Sequence, residues 1–126
     1  MSNELLHLEA AEAEFSLKLA DDGRKVSGSL RYGAVYNGQT HYGFTMRLLT
    51  VRDDMTVDAD LKGQERLLTR YALALEALGN IPAEALTADF LADSLVSSDF
   101  DALFYAQELM LKKRERPTYA DIAKQS

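Results

Sequence analysis

The stretch Tyr42-Gly43-Phe44-Thr45-Met46-Arg47-Leu48-Leu49-Thr50-Val51-Arg52-Asp53 decides the fold, because the spacing of apolar residues changes at its end. Tyr42, Phe44, Met46 and Leu48 alternate with smaller or polar residues, the period of a strand with one buried face. Beyond Leu61 the apolar residues recur at three and four instead, the period of a helix. Working back, Asn37-Gly38 is a two-residue hairpin signal, and Asp22-Gly23 is a second one. Val26, Leu30, Tyr32, Ala34 and Tyr36 share a parity between these turns, with Gly28 and Gly33 marking a bulge or bend. Phe15, Leu17 and Leu19 alternate before them. The pattern predicts an α+β fold: an N-terminal antiparallel β-meander of about three strands, then a C-terminal group of three to four α-helices.

Working forward, Leu67, Leu68, Tyr71, Ala74, Leu75 and Leu78 fall on a stripe about 120° wide at 100° per residue, the core face of one helix. Gly79-Asn80 ends it, and Pro82 opens a short helical piece through Leu86. Thr87 to Val96 reads as another helix. Ser98-Asp99-Phe100-Asp101 has the form of a capping box before the last one, whose predicted core stripe is Phe100, Leu103, Phe104, Met110 and Leu111. The expected division of one domain, 1–126, is an arm over 1–12, the meander over 13–57, helices over 61–116 and a polar tail over 117–126.

The 126 residues are 47% apolar and 27% charged, a globular composition large enough for one modest core. No apolar run approaches the roughly 20 residues needed to span a bilayer, so no membrane partner is expected. Met1 to Glu14 lacks a basic region and an apolar run, which predicts no secretory signal. The chain has no Cys, which removes disulfides, thiolate metal sites and cysteine nucleophiles. A net charge of −6 opposes binding to phosphate backbones, so nucleic acid is a poor partner.

Chemistry-bearing constellations are few. His7 and His41 have no second His or carboxylate at metal-ligand spacing, and neither receives a role. Asp53-Asp54, Asp58/Asp60 and Asp99/Asp101 lack the loop grammar of a calcium site, and Asp99 and Asp101 suit a helix N-terminus better. There is no phosphate loop and no nucleophile elbow. The reading is therefore of a protein that is not an enzyme, with no cofactor and no metal. Large apolar side chains outside the helix stripes are the stronger feature. Leu73 lies about 240° round from Leu67, and Tyr105 and Leu109 lie some 140° to 180° from Phe100, beside Lys112. These residues, rimmed by Lys112, Lys113 and Arg114, are the expected partner-binding surface. Lys112-Lys113-Arg114 also suits the negative end of a helix dipole. Gln107, polar within the apolar stripe, is expected to satisfy a backbone group.

The order of elements resembles the tail assembly chaperones of Mu-like and related tailed bacteriophages. Tyr36-Asn37-Gly38-Gln39 is similar to that family's Gly turn before its second strand. Phe44 to Asp53 resembles its strand ending in an Arg, a Thr and an Asp. Leu78-Gly79-Asn80-Ile81-Pro82-Ala83-Glu84-Ala85-Leu86 resembles the segment after its first helix, and Ser98 to Leu103 its late Asp before the last helix. About Val35 to Leu111 is covered. The family commonly has Pro where Leu49 stands, and Met1 to Leu30 has no assigned counterpart. The resemblance implies a non-catalytic protein in the cytoplasm of the bacterial host. Such a protein binds the tape measure protein, helps assemble tail tube protein around it and is absent from the finished tail. Homo-oligomerisation stays open. Two other readings compete: a small-ligand-binding α+β domain with Tyr32, Tyr36 and Tyr42 lining a pocket between sheet and helices, and a structural tail component.

Overall fold

The Asn37-Gly38 hairpin forms as its residue types require: both residues have positive φ, 51° and 77°, the geometry of a two-residue turn whose twist matches the flanking strands. The computed structural model describes residues 3–114, with side chains from His7 to Lys112. Strands β1 (Lys18–Leu19), β2 (Lys25–Tyr36), β3 (Gln39–Arg47) and β4 (Leu75–Leu78) form one antiparallel sheet in that order. The helices are α1 (Asn3–Glu14), α2 (Val51–Met55), α3 (Gly63–Ala74), α4 (Ala88–Ser94) and α5 (Ser97–Arg114), with a 3₁₀ turn at Ala83–Ala85. The fold class is α+β, as the change of period predicts.

Four elements differ from the sequence reading. The expected arm over 1–12 is a helix, α1, which packs against α5 and buries Leu8 and Ala11. The meander ends at Arg47, short of residue 57, because Thr50 caps α2: its side chain accepts the Asp53 N–H at 3.2 Å and the Asp53 carboxylate accepts the Thr50 N–H at 2.8 Å. The first strand is reduced to two residues. The helix expected from Leu67 to Leu78 stops at Ala74, and Leu75 to Leu78 become the fourth strand, so helices are not all that follows the meander. Leu75 and Leu78 are buried either way, and a register shift at Thr45/Met46 lets residues three apart both face inward. Pairing with the open edge of β3 overrides the helix propensity of Leu-Glu-Ala-Leu.

One contiguous core joins Val26, Leu30, Ala34, Phe44 and Met46 of the sheet to Tyr71, Leu91, Leu103, Ala106 and Met110 of the helices. Helix α5 lies on β2 and β3, while α4 packs on α3. Lys25, Ser27, Gly43 and Ala77 remain exposed on the sheet, where Lys25 and Glu76 form an ion pair at 2.9 Å. Alternation fails in the middle of β2. Ser29 pairs with Gly43 and Ala34 with His41, so five steps on β2 face two on β3. The surplus residues bulge out, with Gly33 at φ 83°, and the parity of Tyr32 and Tyr42 turns outward. Among the described residues no helix is long and apolar enough to cross a membrane.

Candidate functional site

Helix α5 is the central element of the candidate surface, and its rotation about its own axis decides which side chains a partner can reach. That rotation is set by Asp99. The carboxylate is fully buried and accepts the backbone N–H groups of Arg31 at 2.8 Å, Tyr32 at 3.0 Å and Gly33 at 3.0 Å. These are the donors that the β2 bulge frees from the ladder. Asp99 thus does more than complement a helix N-terminus: it fastens α5 to the sheet. Ala102 and Ala106, one and two turns on, are fully buried and let the helix approach the strands closely.

This rotation corrects the expected faces. Leu109 is not a surface residue; at 2% exposure it belongs to the core with Leu103 and Met110. Phe104 and Leu111, expected in the core stripe, are 39% and 54% exposed. Their bulk would hold the helix off the sheet, whereas the Ala102–Ala106 seam admits it. Tyr105 is half-buried, with its ring 5.2 Å from that of Phe104. It lines a groove of about 340 Å³ between α1, α5 and β2, together with His7, Glu14, Arg31 and Tyr32. Arg31 and Glu14 pair across it at 3.0 Å. Lys112 is exposed near the end of α5, and the side chains of Lys113 and Arg114 lie outside the described residues, as does the polar tail.

Leu73 is half-buried in the last turn of α3, and its carbonyl accepts an Arg47 N–H at 3.2 Å. Arg47 holds both Asp53 oxygens, at 2.7 and 3.1 Å, a bidentate pair that anchors α2 beneath β3. This contact, followed by the Thr50 backbone bond, holds the Asp53 carboxyl well below the usual carboxylate range. Gln107 donates to the Arg47 carbonyl at 3.0 Å, the backbone partner its position requires. His41 is buried, and its Nδ1 accepts the Asn80 N–H at 3.2 Å. Asp54 pairs with Arg70 at 2.9 Å. Among the described residues no group of three or more His, Asp or Glu stands where it could hold a metal ion.

A second groove, also about 340 Å³, opens where α3, α4 and α5 meet, between Leu68, Leu91, Leu95, Val96 and Phe100. Phe100 reaches back from it to the buried Tyr71, with ring centroids 5.3 Å apart. The three tyrosines of the ligand-pocket reading do not gather: Tyr32 and Tyr42 are exposed, and Tyr36 stands edge-on to Phe90 at 5.8 Å. Sequence spacing missed this groove because Thr87 to Val96 reads as one helix, whereas α4 ends at Ser94 and leaves Leu95 and Val96 at the opening. No protein-family model, curated protein or solved structure matches the chain.

Proposed function

We propose that the chain is a tail assembly chaperone of the kind found in Mu-like and related tailed bacteriophages, a non-catalytic protein that holds the tape measure protein while the tail tube assembles. The observation that carries the reading is the outer side of α5, where Phe104 and Leu111 stand exposed on a helix whose core contacts are already complete. Such apolar surface suits reversible cover of another protein's helices, without a rigid pocket. The resemblance adds support of a different kind. Its segments are frame-building ones in this chain: the Asn37-Gly38 turn, the Arg47–Asp53 pair with the Thr50 cap, and the Asp99 clamp. Residues that build the frame recur in order, while the partner surface is free to vary. The cytoplasm of the bacterial host is the compartment this work requires.

Co-expression with the long helical product of a neighbouring gene tests the reading. The two proteins are expected to co-purify, and the long protein to aggregate when expressed alone. A chain that neither co-purifies with it nor keeps it soluble would overturn the assignment. Recovery of the chain in stoichiometric amounts from finished tails would favour the structural-component reading.

A further inference from the structure

The groove at the junction of α3, α4 and α5 exists because α4 is too short to close it. Ala88–Ser94 makes about two turns, and the chain then leaves in extended form through Leu95, at φ −78° and ψ 133°. Leu68 and Phe100 are left facing one another across an opening floored by Leu91. The apolar surface does not end there. Phe104 follows Phe100 by one turn and Leu111 lies within about 20° of it at 100° per residue, so both extend the same flank of α5. From Val96 to Leu111 this flank runs about 22 Å, some four helical turns, with the polar Gln107 and Glu108 between Phe104 and Leu111.

Two properties of the strip define its occupant. The residues lining the groove belong to α3, α4, α5 and the link between α4 and α5, and none of them is in a strand of the sheet, so there is no strand edge for an extended peptide to join. An occupant must therefore satisfy its own backbone, which a helix does. The charge on the rim has one dominant sign. Among the described residues Glu65 is the one charged residue lining the groove, and Asp93 of α4 and Glu108 of α5 are exposed on the helices that form it, with Lys112 toward the end of α5. A second copy of α5 would bring Glu108 against the same acidic rim, which disfavours self-association there.

We infer that this groove binds an amphipathic α-helix whose apolar stripe is flanked by Lys or Arg. The inference deepens the chaperone reading by naming the site and the chemistry of the partner segment, and rests on that reading only for which protein supplies the helix.

The test uses the whole chain and a fluorescent Leu/Lys peptide of about 18 residues, with Leu at helical spacing, compared with a Leu/Glu peptide of the same pattern. The Leu/Lys peptide is expected to bind at least about tenfold more tightly, and to shift the amide resonances of Leu68, Leu95 and Phe100. Val96→Asp combined with Phe104→Asp should weaken it by about tenfold or more. Both substitutions add negative charge, so general attraction to a cationic peptide would rise; a loss reads the apolar contact. Val51→Asp, at an exposed apolar residue on α2, should leave binding within about twofold. Equal binding of the two peptides, an unaffected double variant, or resonance shifts confined to the Tyr105 groove would overturn the inference. So would a dimer in sedimentation that the double variant dissolves, since the occupant would then be a second copy. If the peptide binds this groove while the tape measure protein is not captured, the inference stands and the chaperone reading falls. Capture of the tape measure protein by a chain whose groove ignores the peptide gives the reverse.

Discussion

The Asp99 carboxylate accepts the Gly33 amide at 3.0 Å across 66 residues of sequence, and this bond joins the start of α5 to the irregular middle of β2. With the Arg31 and Tyr32 amides on the same side chain, one carboxylate replaces the partners that three strand residues would otherwise lack. Asp99→Ala is expected to destabilise the fold by roughly 2–4 kcal/mol, since it leaves these donors unpaired. Asp101→Ala, two residues on and exposed, should stay within about 0.5 kcal/mol. Urea denaturation of the two variants decides the matter: equal midpoints would mean that the bulge holds itself.

Acid should weaken the Arg47–Asp53 pair. The Asp53 carboxyl is held below its ordinary range by Arg47 and then by Thr50, so the folded state binds its proton later than the unfolded chain does. Its contribution to stability is therefore complete above about pH 4 and is lost as pH falls toward its folded value. Asp53→Asn should be less stable than the natural chain at neutral pH, and the difference should shrink as pH drops from about 4 to 2. Thermal melts across that window would show it, and parallel curves would exclude the pair as the cause.

Base should act at Tyr71. Burial, followed by the nearby charge of Glu108, pushes its phenol up to about 12. An unfolded phenol releases its proton near 10, so stability present below about pH 10 should decline as pH rises toward 12. Phenolate absorbance should show a late step toward pH 12, and Tyr71→Phe should remove it. The same spectrum in both proteins would place the late phenol elsewhere.

The parts of this fold that depend on local chemistry were legible in the sequence. Asn37-Gly38 and the alternation around Phe44 and Met46 pointed to the hairpin, and Gln107 signalled its backbone partner by being polar in an apolar stripe. What the sequence left hidden depends on contacts distant along the chain. Leu75 to Leu78 match a helical period, and only the open edge of β3 makes them a strand. The rotation of α5 is hidden for a related reason: Phe100, Leu103, Phe104, Tyr105, Leu109, Met110 and Leu111 place apolar groups nearly all round it, so spacing has no preferred face. The small residues Ala102 and Ala106 carried the signal, because a helix lies closest to a sheet along its smallest side chains. Of the side chains expected to stand outside the α5 core stripe, Leu109 is buried and Tyr105 half-buried, while Phe104 and Leu111 take the exposed positions.

That correction makes the last prediction. Leu109 and Leu111 are two residues apart on α5, chemically identical, and 2% and 54% exposed. Leu109→Ala should cost about 2–5 kcal/mol of folding stability through lost burial and the cavity left behind. Leu111→Ala should change stability by less than about 0.5 kcal/mol and, on the chaperone reading, weaken capture of the tape measure protein. Thermal melts and a pull-down on each variant separate the two effects. If Leu109→Ala melts like the natural chain, α5 sits in a different rotation, and Asp99 cannot then be the clamp that orients it. If instead Leu111→Ala lowers the melting temperature as much as Leu109→Ala, the outer side of α5 is covered in the free protein and the partner surface must be sought elsewhere.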